Sequence, residues 1–384
     1  MRPTTKPRPA ATSEPTKPIP VLVPTLPETD ALIPYLRRID EANWYSNYGP
    51  LWREFRDAFS ARLATRTGVE NVHVVFTANG TSAIEVALRA RALPEHPYCL
   101  MPSFTFVATA HAVCNAGMVP YLTDVNPDSL VLTPEIAERA LRRLPQKPGA
   151  VVVVSAFGSP PDVAGWQDFE QAHGVPVVFD AAAAAASLDS VGAQPMAMSL
   201  HATKVLGIGE GGAVITTDFE LANRITAMTG FGYLGDARTS IVRGGNYRIS
   251  EYAAAVGLAA LLGLDAKVGR LRAVVAQYRE RLANSPVRLQ NGVGEQWITT
   301  TLNVLPPADR VEDMLINLDR AGVQWRRWWG LGCHTHPAFE DLPALDLEVT
   351  RELAPRVIGV PCHTRLSDEH VATVCACVLD ARAT

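Results

Sequence analysis

The sequence predicts an α/β protein with a large domain, built on a mostly parallel central sheet flanked by helices, and a smaller C-terminal α/β domain. Two observations support this prediction. Short Val-rich runs alternate with helical patterns, which is typical of a parallel sheet covered on both faces. The chain has 384 residues, of which 47% are hydrophobic and 19% charged, and this is enough for two well-filled domains.

The predicted elements alternate along the chain. Gly68 and Gly117 are placed to end helices, and Thr133 followed by Pro134 is placed to begin one. In chain order the elements are helix 55–68, strand 72–78, helix 81–93, strand 97–104, helix 105–117, strand 119–125, helix 133–144, strand 150–157, helix 166–174, strand 175–181 and strand 211–218.

A long helical stretch over 251–282 bridges into the smaller part. That part holds an apolar run at 297–305 and helical patterns at 311–322 and 367–381. The domain prediction is therefore a disordered, proline-rich arm over residues 1–20, a large domain over 21–262 and a small domain over 263–384.

Charge and cysteine usage narrow the function classes. The net charge of −4 gives no field that would attract nucleic acid or an anionic membrane. The six cysteines are too few and too scattered for a disulfide framework. No run has the apolar length of a membrane span, and the arm lacks the apolar stretch of a signal peptide. We therefore expect a cytoplasmic protein without nucleic-acid or membrane partners.

Two residues indicate the chemistry. Asp180 ends an apolar strand, and Lys204 follows about two dozen residues later in a loop of small residues. A pyridoxal phosphate enzyme needs this pair, because the lysine holds the cofactor aldehyde as a Schiff base and the acid pairs with the protonated pyridine nitrogen. The six alanines that follow the acid (181–186) suit a small-residue wall beside a flat ring.

Other residues suit the same cofactor. Gly80, Thr81 and Ser82 precede a helix, where backbone amides bind phosphate, although the same residues serve an ordinary N-cap. Phe106 is a candidate for stacking on the pyridine ring, with a place in the core as the alternative. The Ser199 hydroxyl is a further phosphate donor, unless it belongs only to a loop turn.

With these residues in place, the chain resembles the DegT/DnrJ/StrS family of sugar aminotransferases, a branch of the fold type I pyridoxal phosphate enzymes. The resemblance runs from about Ile19 to the C-terminus. The matching blocks, in family-like order and spacing, are YSNYGPL (45–51), ANGTSAIEVAL (78–88), PSFTFVATAHAV (102–113), VVFDAA (177–182), SLHATKVLGIGEGG (199–212) and GGNYRISEYAAAVGL (244–258).

The resemblance implies a role for each matched residue. Lys204 would bind the cofactor covalently and transfer the proton, and Asp180 would bind the pyridine nitrogen. Phe106 would stack on one face of the ring and Ala182 would pack on the other.

The phosphate site implied by the resemblance crosses a subunit boundary. Gly80, Thr81 and Ser199 would bind the phosphate within one chain. Asn246 matches an asparagine that, in the family, reaches the phosphate from the neighbouring subunit. A homodimer with two shared active sites is therefore expected.

One position departs from the family pattern. The family usually has Gln or His three residues after the aspartate, where it bonds the phenolic oxygen of the cofactor, and this chain has Ala183. The loss of such a contact costs on the order of 1 kcal/mol, and more if the oxygen stays dry and unpaired.

A histidine- and cysteine-rich region near the C-terminus has two interpretations. Cys333, His334 and His336, with Cys362 and His363, have no standard zinc spacing, so no metal is predicted. Family members carry a histidine-containing loop here beside the sugar pocket. Three residues of this region are therefore candidate substrate contacts, with surface or core packing as the alternative: Arg326, Trp328 and His334.

The predicted activity is transfer of an amine from glutamate or glutamine to a keto-sugar, which by resemblance is a nucleotide-linked 4-keto-6-deoxy sugar. Two alternatives remain at this point. A pyridoxamine-dependent sugar dehydratase is disfavoured by the intact Lys204 and kept open by Ala183. A non-catalytic regulatory protein with the cofactor fold is disfavoured by the intact lysine, acid and phosphate turn.

Overall fold

A computed structural model describes residues 18–235 and 238–380, which form two β-sheets surrounded by helices. The strands of the main sheet are β1 (His73–Thr77), β2 (Tyr98–Pro102), β3 (Val119–Thr123), β4 (Ala150–Val154), β5 (Val177–Asp180), β6 (Met196–Ser199) and β7 (Gly212–Thr216). Those of the second sheet are β8 (Arg288–Leu289), β9 (Asn303–Leu305) and β10 (Ile358–Gly359).

The helices lie between and around these strands. They are α1 (Thr29–Ala42), α2 (Pro50–Thr67), α3 (Gly80–Arg91), α4 (Ala108–Asn115), α5 (Pro134–Leu141), α6 (Val163–His173), α7 (Phe219–Thr229), α8 (Glu251–Leu262), α9 (Leu264–Leu282), α10 (Val311–Arg320), α11 (Glu348–Leu353) and α12 (Asp368–Leu379).

The main sheet has the strand order β1-β7-β6-β5-β4-β2-β3. Strands β3, β2, β4, β5 and β6 pair in parallel, while β7 is antiparallel to both of its neighbours. A segment without a helix, residues 200–211, joins β6 to β7, so the chain returns directly instead of crossing over. The predicted mostly parallel sheet is confirmed.

Both faces of the sheet are buried, as the Val-rich strands predicted. Along β4, Val151 and Val153 contribute to one apolar cluster, while Val152 and Val154 contribute to another on the opposite face. This alternation follows from the two-residue period of a strand. The sheet is therefore a rigid central layer whose strand ends hold side chains in fixed positions.

Several predicted helix ends are confirmed. Gly68 follows α2 with φ of 69°, and Gly117 lies beyond the end of α4 with φ of 83°. The hydroxyl of Thr133 accepts a hydrogen bond from the amide of Ile136, and Pro134 occupies the first turn of α5. Glycine suits the first two positions because left-handed backbone costs it little.

The helical stretch predicted over 251–282 is two helices. Gly263 separates α8 from α9, and the two axes meet at 59°. Within the described residues, no single helix is long and apolar enough to cross a membrane, and this bent pair reaches that length and composition only when its two parts are taken together. The break places α9 against α12 instead of extending α8.

Two other details differ from the sequence prediction. The run at 297–305 contributes only Asn303–Leu305 as a strand. At the predicted disordered arm, residues 1–17 lie outside the described residues, but Ile19 is buried and forms a parallel bridge with Val323. Ile19, within the predicted arm, therefore belongs to the folded structure, because it has both an apolar contact and backbone partners there.

Candidate active site

A cavity of about 600 Å³ lies at the carboxyl ends of the parallel strands. This is where ligands bind in sheets of this kind. The cavity lining includes nine of the residues that the sequence singled out: Gly80, Thr81, Phe106, Asp180, Ala182, Ser199, Lys204, Arg326 and Trp328.

Asp180 ends β5 at the bottom of the cavity and is only 5% exposed. Its carboxylate accepts hydrogen bonds from the Thr109 hydroxyl at 2.7 Å and from the Ala182 amide at 3.2 Å. The Thr105 hydroxyl lies 2.9 Å from that of Thr109 and continues this network. Burial raises the pKa of Asp180, although both hydrogen bonds and Lys204 act in the opposite direction. A cationic ring nitrogen would favour the ionised form.

Lys204 lies in the loop between β6 and β7, where it is half-buried and lines the cavity. Burial lowers the pKa of its amine, and the charge of Asp180 offsets part of that effect. A buried lysine that is neutral is a nucleophile and a base, whereas its protonated form is neither.

The backbone around Lys204 is held by other elements. The Lys267 ammonium donates to the carbonyl of Lys204 at 3.3 Å and to that of Thr25 at 2.9 Å. The Thr300 hydroxyl donates to the carbonyl of Thr203 at 2.8 Å. Helix α9 and the segment before β9 therefore fasten the lysine loop to the rest of the molecule.

The N-terminus of α3 and the end of β6 form a cradle for an anion. The Asn79 side chain caps α3 by accepting from the Ser82 amide at 2.8 Å. The amides of Gly80 and Thr81 belong to the first turn, where a helix presents donors to a phosphate. A Cβ at Gly80 would lie 2.9 Å from Cβ of Ser199, so a larger residue would close the cradle.

Phe106 lines the cavity and is 55% exposed. The alternative of a core phenylalanine is therefore wrong. Its ring is available to stack on a flat ligand, and such contacts fix the plane of a bound ring. Ala182 also lines the cavity, while Ala181 and Ala184 beside it are buried in the core.

Residues 326–329 lie at the cavity and contribute aromatic and basic side chains. The Arg326 guanidinium lies 5.6 Å from the ring centroid of Trp328, and Trp329 stacks on Phe157 with centroids 3.8 Å apart. The backbone of Arg326 is bonded to Gly359 of β10 in both directions. The second sheet therefore positions this segment against the main sheet.

The structure does not bring His334 or Asn246 to this cavity. Nδ1 of His334 is 2.9 Å from the Ser103 hydroxyl, and neither of these two residues lines the cavity. The expected substrate contact of His334 therefore stays a prediction. Asn246 pairs with Gly230, and its side-chain oxygen accepts from Arg248 at 2.8 Å. Within the described chain, no group of three or more His, Cys, Asp or Glu side chains is arranged to hold a metal ion.

Sequence reasoning missed three residues that shape the site. Thr109 is a hydroxyl on α4, Ser155 is a hydroxyl directly after β4, and Lys267 is an amine on α9. Thr109 follows Phe106 by three residues, so helical spacing could have placed both near the same strand end. The positions of the other two depend on strand pairing and helix packing, which local patterns do not encode.

These residues fit pyridoxal phosphate. A buried acid, an amine with a lowered pKa, an exposed aromatic ring and a glycine cradle at a helix N-terminus occur together in one cavity. Each group corresponds to one part of the cofactor: the ring nitrogen, the aldehyde, the ring face and the phosphate.

Comparisons with known proteins agree with this fit. A model of the DegT/DnrJ/EryC1/StrS aminotransferase family matches residues 28–379. Protein Rv3402c of Mycobacterium tuberculosis is 31% identical over 377 residues, which cover 94% of this chain and 90% of that protein. A dTDP-4-amino-4,6-dideoxy-D-glucose transaminase of Shigella dysenteriae is 27% identical, covering 92% of this chain and 96% of that protein. The crystal structure of DesI in the presence of its TDP-sugar product superposes with a TM-score of 0.82 at 31% identity, covering 94% of this chain and 92% of that one.

The fold and the cavity together define a pyridoxal phosphate-dependent aminotransferase. The matched model covers most of the chain. This chain belongs to the DegT/DnrJ/EryC1/StrS aminotransferase family.

Proposed function

We propose that this aminotransferase moves an amine from glutamate or glutamine to a nucleotide-linked 4-keto-6-deoxy sugar. The observation that carries the proposal is the meeting of Lys204, Asp180 and the Gly80 cradle in one cavity. Two similar proteins point to the sugar: a transaminase named for a dTDP-linked dideoxy sugar, and DesI, which was crystallised with a TDP-sugar product.

Lys204 is the proposed acid–base residue. When bound, pyridoxal phosphate supplies an electron sink for the bond that is broken at the substrate carbon. The lowered pKa keeps Nζ of Lys204 neutral in a larger share of molecules, so Nζ would be able to accept the substrate proton and later return it. A lysine with its ordinary pKa would be protonated at neutral pH and unable to accept.

The remaining residues bind and orient. The Asp180 carboxylate holds the proton on the ring nitrogen, and Thr109 keeps that carboxylate ionised and aligned. Gly80, Thr81 and Ser199 bind the phosphate, while Phe106 and Ala182 enclose the ring and exclude water. Arg326 and Trp328 are the proposed contacts to the nucleotide-linked substrate, since guanidinium and indole groups bind phosphates and flat bases.

A homodimer completes the proposal. Asn246 is absent from the cavity of its own chain, and the segment around it exposes large apolar side chains, among them Phe231, Tyr233 and Ile241. Such side chains suit a subunit contact. We propose that Asn246 reaches the phosphate site of the neighbouring subunit.

The proposed division of the chain is a cofactor-binding domain over 21–262 and a small domain over 263–384. The break between α8 and α9 at Gly263 supports that boundary. The proposed location is the cytoplasm, because all six cysteines are free, as is typical of a reducing compartment.

The test is a panel of nucleotide-linked keto-sugars incubated with ¹⁵N-labelled glutamate or glutamine and read by mass spectrometry. The expected result is a labelled amino sugar together with the keto acid of the donor. Loss of a hydroxyl from the sugar without label would instead identify a dehydratase. A protein that binds pyridoxal phosphate but processes no sugar on the panel would contradict the proposed substrate class.

A further inference from the structure

Ser155 is a cavity-lining residue that the proposed function leaves without a task. It follows β4 directly, and only 4% of its surface is exposed. Its amide donates to the carbonyl of Asp180 at 2.9 Å, so its backbone is fixed beside the end of β5. Its hydroxyl is buried and has no hydrogen-bond partner among the described residues. A buried polar group without a partner is costly, which suggests a partner that the protein chain does not supply.

The strand order, taken with the proposed positions of the ring nitrogen and the phosphate, indicates which part of the cofactor lies next to Ser155. Asp180 on β5 takes the ring nitrogen, and the Gly80 and Ser199 cradle takes the phosphate on the side of β6 and β1. In pyridoxal phosphate the aldehyde is opposite the ring nitrogen, the phosphate arm is on one side of the aldehyde and a phenolic oxygen is on the other. The phenolic oxygen therefore faces away from β6, towards β4 and Ser155.

The cavity-lining neighbours of Ser155 along the chain, and Ala183, carry no polar side chain. Val154 and Phe157 on the same segment are apolar, and Ala183 contributes a methyl group. The hydroxyl of Ser155 turns about a single side-chain bond between staggered positions, so it is adjustable without backbone movement. We propose that the Ser155 hydroxyl donates a hydrogen bond to the phenolic oxygen of the bound cofactor.

This bond has a spectroscopic consequence. A negative phenolic oxygen attracts the proton on the lysine nitrogen to which the cofactor is joined. A donor at that oxygen spreads its charge and lowers the proton affinity of the nitrogen. Without the donor, the pKa of the protein-bound chromophore rises by about one unit, a ten-fold change in proton affinity.

The test compares Ser155→Ala with Ser159→Ala. Ser159 lies four positions further on, and its hydroxyl is also buried without a partner among the described residues, but it does not line the cavity. Both variants are loaded with pyridoxal phosphate and titrated over pH by visible absorbance, and cofactor affinity is measured by titration of the cofactor-free protein.

Ser155→Ala is expected to raise the chromophore pKa by about one unit and to weaken cofactor binding by about ten-fold, while Ser159→Ala matches the wild type. Equal shifts in both variants, or a wild-type pKa in Ser155→Ala, would overturn the inference. The inference depends on the cofactor and not on the proposed sugar. An enzyme that transfers no amine to any keto-sugar still shows the shift, so the two proposals fail separately.

Discussion

The bottom of the cavity is formed by Asp180 at a strand end, Thr109 on α4 and Lys204 in a loop, and hydrogen bonds from neighbouring elements hold them in place. We call these three residues the floor. Residues 326–329, which we call the rim, instead present two half-buried indole rings, the half-buried Arg327 and the exposed Arg326 on a connecting segment. A rigid floor suits a cofactor that is the same for every member of a family. A rim on a segment between strands suits a substrate that differs from one enzyme to the next.

The largest effect is expected from a substitution in the floor. Lys204→Ala removes the group that, in the proposed mechanism, both joins the cofactor and accepts the substrate proton. Amine transfer should fall by at least about 10³-fold, since covalent and acid–base contributions are lost together. The measurement is the rate of labelled amino-sugar formation. Lys147→Ala, at an exposed lysine outside the cavity, serves as the control and should keep the wild-type rate.

A smaller effect is expected at the cradle. Gly80→Ala places a methyl group 2.9 Å from Cβ of Ser199, so affinity for pyridoxal phosphate should fall by about ten-fold or more. Gly269→Ala is the matched control, because a Cβ there meets no atom within 4 Å. Fluorescence titration of both variants with the cofactor checks the prediction. Unchanged affinity in Gly80→Ala would place the phosphate elsewhere.

A variant in the rim sharpens the comparison. Trp328→Ala should raise KM for the sugar acceptor by about ten-fold while leaving cofactor affinity unchanged, because the indole contributes apolar contact at the substrate end of the cavity. Steady-state kinetics with the best acceptor, alongside cofactor titration, separates the two quantities. If cofactor affinity fell as much as KM rose, the rim would contribute to cofactor binding as well as to substrate binding, and the distinction between floor and rim would be wrong.

The smallest expected effect concerns stability. In the cofactor-free protein the pKa of Lys204 is lowered, so between that pKa and 10.5 the unfolded chain binds more protons than the folded one. Stability therefore rises with pH in this window and is reduced at neutral pH. Lys204→Met should therefore raise the free energy of unfolding at pH 7. Urea unfolding should show that the stability gained by Lys204→Met is smaller at pH 10 than at pH 7. The control Lys147→Met should show no gain in stability at either pH.

The sequence predicted Asp180 and Lys204 in the floor and Arg326 and Trp328 in the rim, but it missed Thr109 of the floor. Asp180 and Lys204 lie within two short segments whose residue types already indicate a strand end and a loop. The side-chain placement of His334 instead depends on how the segment between β9 and β10 folds back onto Ser103. Ser155 and Lys267 became visible only once strand pairing and the break at Gly263 were known.

The bend between α8 and α9 illustrates the same limit. Apolar periodicity continues through residues 251–282, so the pattern predicted one helix. Packing of α9 against α12 redirects the chain at Gly263, and this long-range contact carries Lys267 to the carbonyl of Lys204. Local patterns identify the elements, whereas tertiary contacts decide their directions.

Covalent capture of the cofactor tests the central claim most directly. The protein is incubated with pyridoxal phosphate, reduced with borohydride and digested, and the labelled peptide is identified by mass spectrometry. Lys267 is the internal competitor, because burial lowers its pKa to about 8 and makes it a reactive amine as well. We expect a single labelled residue, Lys204. A label on Lys267 in place of Lys204, or no label at all, would contradict it.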